Sequence, residues 1–314
     1  MSANAAFAPA RAIPAQNDER AHRIRLNIAY AVTIALLVAL AIYGFDYYSL
    51  SSADRPYSPK RHMLLPSGTI GLKLGFVGTA MFLIIFLYPL RKRWNWLAKQ
   101  GQSRHWLDFH VLLGLAAPLV IALHSSFKFR GVAGIAFWIM LAVSLSGIIG
   151  RYVYSQIPRS LNAAELTMKE LKELQAQMAQ KIAPNNQLTE ADLRSLFRLP
   201  SPDRVARLPL LVALFYMMAL DLARPFRIAR LRRHSIRIGE KFSTLGGFLT
   251  TRHYDLEQTI ASAHDEAALA KRIVFLSRSQ QVFHLWHVIH KPFSYSFAIL
   301  ALFHIGVVMV MGYL

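Results

Sequence analysis

The chain has 314 residues, 54% hydrophobic and only 17% charged, which describes a polytopic membrane protein. It contains no cysteine, which excludes disulfides, iron–sulfur clusters, thiolate ligation and covalently attached c-type haem. The net charge of +19 is what cytoplasmic Lys and Arg give a membrane protein, so nucleic acid is not expected as a partner.

Residues 1–25 are polar and Ala-rich, with four arginines and no cleavage-site pattern, and read as a cytoplasmic tail. The first span is expected from Leu26 to Phe45 and the second from Gly68 to Leu90, ending in the interfacial boundary YPLRKRWNW. The third runs from Trp106 to Phe127 and the fourth from Gly131 to Gly150. Residues 151–281 turn polar and read as a helical cytoplasmic insertion, with a charged helix over Asn162 to Ile182 and a capping box at Thr189 to Asp192. Within it, Leu208 to Leu220 is apolar but too short to cross and is flanked by arginines on both sides. It reads as an interfacial or re-entrant helix, and the basic run from Arg224 to Arg237 as a headgroup-binding face. A functional version of that basic run would dock an acidic electron-transfer partner. The fifth span, within residues 282–314, covers about His287 to Gly312.

Five spans with the amino terminus inside put 29 Lys and Arg on the cytoplasmic side against five outside, in line with the positive-inside rule. The third and fifth spans then run in the same direction. Both carry a histidine pair fourteen residues apart, His110 with His124 and His290 with His304; the other spans have none. Fourteen residues is close to four helical turns, so each pair shares a face, separated by about 21 Å along the axis. The topology sets His110 level with His290 and His124 level with His304. Ionisable groups inside a membrane are costly, which makes four in register a functional candidate. One metal ion cannot take all four across about 21 Å. Two b-type haems, each held by imidazoles from neighbouring helices, satisfy every histidine.

Paired histidines at this spacing on two helices, separated by a helix with none, resemble the di-haem membrane cytochromes b. On the third and fifth spans they also resemble the transmembrane domain of ferric reductases and NADPH oxidases. The resemblance covers the membrane portion and rests on the four histidines and the glycines. It implies an all-α, five-helix haem-binding bundle with two haem b groups on His110, His124, His290 and His304. No flavin or nicotinamide domain follows the last span in this sequence, and no quinone-site motif is visible.

The glycines and cations have two readings each. Gly71, Gly75 and Gly78 on the second span, and Gly114 one turn from His110, suit close approach of a flat macrocycle or ordinary small-residue helix packing. Lys73, Lys128 and Arg130 outside, and Arg151 and Lys291 inside, suit haem propionates or simple snorkelling. His284 and His287 precede His290 and are alternatives to it as ligand, although only His290 is fourteen residues from His304. Pro118 and Pro292 are expected to kink the helices that carry the pairs.

The expected function is electron transfer across the membrane, as a subunit of a quinone-linked or reductase complex more than as a self-contained enzyme. Its cofactors are two haems b, with quinone as a further ligand. Its partners are the lipid bilayer and a redox subunit carrying flavin, iron–sulfur or cytochrome c centres. The expected location is a bacterial cytoplasmic membrane, with the amino terminus cytoplasmic and the carboxyl terminus periplasmic. The rival readings are a haem-free anchor or assembly subunit, and a transporter whose histidines relay protons.

Overall fold

Backbone polar groups in hydrocarbon must be satisfied within the chain, which favours helices wherever a long apolar run occurs. The computed structural model describes residues 13–157, 199–235, 247, 249–251 and 254–312, and among the described residues there are helices and turns but no strand. Among these residues the helices longer than a single turn are α1 (Ile13–Tyr43), α2 (Thr69–Arg91), α3 (Ser103–His124), α4 (Gly131–Gln156), α5 (Pro202–Arg207), α6 (Leu210–Ser235), α7 (Tyr254–Val274) and α8 (Leu276–Val310). Five of them, α1, α2, α3, α4 and α8, are long and apolar enough to cross a membrane. Their outward faces carry exposed Ile, Leu, Val and Phe, among them Ile28, Leu36, Ile84, Ile135 and Ile299, a surface that suits lipid and not water.

The ends of these helices depart from the expected spans. α1 begins at Ile13 and not at Leu26, and an ion pair between Glu19 and Arg23, 3.5 Å apart, supports its first turns at helical spacing. α8 begins at Leu276, before the expected start near His287, because its polar opening still favours helix while hydropathy marks only the lipid-facing part. From Leu210 onward the short apolar segment expected at Leu208 to Leu220 is part of the longer α6, which continues through the basic run as far as Ser235. The expected helix at 162–182 and the capping box at 189–192 lie outside the described residues.

The chain divides into two compact units, residues 1–149 with 289–314, and residues 150–288. In the first, α2 and α3 pack through Leu74, Met81, Ala116, Ala117, Val120 and Leu123, joined by Phe137 and Met140 of α4. A Cβ on Gly78 would strike the Ile121 side chain, so this glycine lets the two helices approach. The proline in α3 has its consequence met across the bundle. Pro118 has no N–H to give Gly114 O, and Ser144 Oγ of α4 donates to that carbonyl instead, at 2.7 Å. After α3 the chain turns through Ser126 and Phe127, both with positive φ, at 51° and 59°. Buried Arg55 holds the preceding loop over this turn by donating to Ser126 O, Tyr48 O and Leu50 O, while Ser126 Oγ donates to Leu64 O.

The second unit has its own core of Val153, Val205, Leu214, Met217, Leu220, Phe275 and Val282. Thus part of the apolar face of α6 is buried against protein, while Leu211, Val212, Phe215, Leu222 and Phe226 remain exposed. Beside that core Asp221 accepts from Tyr152 OH at 2.7 Å and from Lys271 Nζ at 2.5 Å, and pairs with Arg224 at 3.0 Å. Arg232 grips Glu257 through Nε at 2.9 Å and Nη2 at 2.6 Å, and Thr251 donates to the same carboxylate. Burial alone would raise the Glu257 pKa, but these donors hold it below the ordinary carboxylate value.

Candidate functional site

The four paired histidines lie in the first unit, two on α3 and two on α8, and all four are half-buried. α8 is continuous through Pro292, so His290 and His304 stand on one helix, and Ser294 Oγ donates to His290 O at 2.7 Å beside the proline. His304 lies near His124.

The orientation of each imidazole is set from a neighbouring helix. Pro89 of α2 cannot donate to Ile85 O, one turn back. That carbonyl instead receives His110 Nδ1, at 3.1 Å. His124 Nδ1 donates to Gly71 O at 2.8 Å, where its ring lies against Gly75. A Cβ on Gly75 would stand 2.9 Å from His124 Cε1, so only glycine admits the ring there. A carbonyl oxygen can only accept, so in both rings Nδ1 carries the proton and the lone pair is at Nε2. His290 Nδ1 meets Ser146 Oγ at 2.8 Å, and Val143 O lies 2.8 Å from the same hydroxyl. A hydroxyl both donates and accepts, so Ser146 holds the His290 ring in place with either nitrogen protonated.

These contacts sort the remaining sequence candidates. The glycine face of α2 serves helix approach and the seating of His124. Gly114, Gly147 and Gly306 face open space, with no atom within 4 Å of a Cβ built on any of them. Lys73, Lys128, Arg130 and Lys291 are exposed, and Arg151, partly buried, falls in the second unit. His284 is exposed, and His287 Nδ1 donates to Phe283 O of its own helix at 3.1 Å.

Sequence reasoning missed one cluster. His22 of α1, in the stretch expected to be a tail, is buried with its Nε2 3.0 Å from Asp108 Oδ2. Its ring stacks on His105 with centroids 3.6 Å apart, and Glu19 pairs with Arg104 at 2.8 Å beside it. Asp108 is buried two residues before His110, and a lone buried carboxylate in a span was the signal that a partner had to come from another helix.

Among the described residues no group of three or more His, Asp or Glu gathers in the way a single metal ion would require. Comparison with protein-family models, with curated proteins and with solved structures finds no match to this chain.

Proposed function

We propose that this chain is a b-type membrane cytochrome that carries electrons between two haem levels. His110 and His290 would hold one haem, and His124 and His304 the other. The observation that carries this reading is how His110 and His124 are held: each Nδ1 proton is directed to a carbonyl oxygen on another helix, which leaves the lone pair at Nε2 for a ligand, and His290 Nδ1 is likewise held from another helix by Ser146 Oγ. The same bonds tie α3 to α2, so haem content is the measurement that separates a ligand from a helix-to-helix bond.

Haem held by two imidazoles would supply a reversible one-electron couple, which suits electron transfer and not chemistry on a bound substrate. The residues of the chain supply the rest. Ile85 O and Gly71 O orient the α3 rings and raise their basicity, and Ser146 Oγ orients His290. The open space beside Gly114, Gly147 and Gly306 is compatible with a planar group. The charge distribution supports an amino terminus in the cytoplasm and a carboxyl terminus in the periplasm of a bacterial inner membrane. A separate subunit with flavin, iron–sulfur or cytochrome c centres would complete the electron path, with quinone as the membrane-soluble donor or acceptor.

The test is a reduced-minus-oxidised visible spectrum of the purified chain, with haem quantified per polypeptide. Sharp α and β bands of a bis-imidazole haem and about two haems per chain are expected. Protein that is well folded but binds no haem would sink the reading. The second expected result concerns Pro89. In Pro89→Ala the new N–H reclaims Ile85 O in competition with His110, so haem at that level should be held about tenfold more weakly. A haem titration of the apoprotein measures this, and unchanged affinity would remove Pro89 from the account.

A further inference from the structure

The second unit contains a cavity of about 310 Å³ that the electron-transfer reading leaves unused. Its polar wall is Gln156 from the end of α4, Asp221 and Arg224 from α6, and His264, Lys271 and Arg272 from α7. None of these residues is a histidine of the proposed haem pairs, so the inference stands independently of that proposal.

Three cations and one carboxylate line this space. Both oxygens of Asp221 are engaged, by Tyr152, Lys271 and Arg224 together. Lys271 is 2% exposed, and its ammonium is directed to that carboxylate. Arg224 shares the same carboxylate, and exposed Arg272 has no carboxylate partner among the described residues. His264 is tied to the adjacent Asp265 at 3.1 Å. The wall therefore carries an excess of two positive charges with His264 neutral, three cations less one carboxylate.

A second observation concerns Gln156. Only 6% of it is exposed, its Nε2 bonds Ser155 Oγ at 3.2 Å, and its Oε1 has no partner among the described residues. Turning the amide over moves the problem to the nitrogen and does not remove it. A buried polar atom without a partner is unfavourable, so this wall lacks a hydrogen-bonding group that a ligand would bring. The volume lies within the range of small-molecule sites, roughly 300–1,000 Å³.

An anion of charge near −2 that also carries a hydroxyl meets both requirements. Guanidinium groups bind phosphate through paired N–H donors, and a ligand hydroxyl can donate to an amide oxygen. We infer that this cavity binds a phosphate group carried on a polyol, with the phosphate on Arg224 and Arg272 and a hydroxyl on Gln156 Oε1. A glycerophospholipid headgroup and a free sugar or glycerol phosphate share this chemistry.

The full chain in detergent is titrated with inorganic phosphate and with glycerol 3-phosphate, following thermal unfolding and binding heat. It is also placed in nanodiscs of phosphatidylcholine with and without phosphatidic acid. Saturable stabilisation is expected in one of these arms. Arg272→Gln should weaken it by about tenfold while leaving the unfolding of the ligand-free protein unchanged, because the side chain is exposed. Gln156→Leu should weaken glycerol 3-phosphate more than inorganic phosphate, and Arg93→Gln in the other unit should change neither. Response to the free esters assigns a soluble ligand, and response only to phosphatidic acid assigns a headgroup. No saturable response in any arm, an equal response to chloride, or an Arg272→Gln protein that behaves as the parent overturns the inference.

Discussion

With two haems bound as proposed, His124→Ala is expected to lower the haem content from about two per chain to about one, and His110→Ala to do the same at the other level. The two losses should be distinguishable, because the remaining haem in each variant keeps its own ligands and its own environment. His124 lies against Gly75 near the turn at Ser126, while His110 lies beside Tyr88 with ring centroids 5.2 Å apart. Different residual potentials are therefore predicted in a redox titration of the two variants. The double variant should bind none. Far-ultraviolet circular dichroism provides the control, since helices whose backbone is satisfied internally should persist without the group. Full haem content in either single variant would remove that histidine from the ligand set. The substitution Gly75→Ala makes a finer version of the same point. Its methyl would press on the His124 ring, so it should loosen haem at that level and leave the His110 level alone.

The second large effect is expected in the other unit. Asp221→Asn leaves the buried Lys271 ammonium without its counter-charge, and should destabilise that unit by about 3 kcal/mol. Lys271→Met should cost less, about 1 kcal/mol, because Asp221 keeps Tyr152 and Arg224 as donors. The order of the two variants in thermal unfolding checks the account, and a larger effect for Lys271→Met would contradict it. The pH dependence follows from the same geometry. Burial pulls the Lys271 ammonium below its ordinary value of 10.5, although Asp221 opposes this. Where the native state has released that proton and the unfolded chain still binds it, stability rises with pH. Without Asp221 the native value falls further and the window widens. The penalty in Asp221→Asn should therefore shrink as the solution is made alkaline towards 10.5.

The membrane-crossing helices were legible because hydropathy is a property of a local window. About twenty consecutive apolar residues have few alternatives to a helix in lipid. The common face of each histidine pair was legible for a similar reason, since fourteen residues and a period of 3.6 leave little freedom. Helix ends were not, as α1 and α8 show. Their polar turns are good helix without being apolar, so hydropathy stops short of them. α6 shows the same limit from the other side: thirteen apolar residues suggested a short interfacial piece, but the helix continues through its arginines, two of which find carboxylates in Asp221 and Glu257.

The number of long apolar helices and the histidine spacing were determined by the sequence alone, because both depend on residues close together along the chain. The tertiary structure decided how those histidines are held. That Pro89 leaves a carbonyl for His110, that Ser144 answers Pro118, and that Gly75 admits the His124 ring all depend on which helix lies opposite which. A proline withdraws one hydrogen bond wherever it stands, but the group that takes the vacated carbonyl comes from a residue many turns away. His22 reached Asp108 in the same manner, across 86 residues of chain. Local periodicity says which side chains share a face, and only packing says what that face meets.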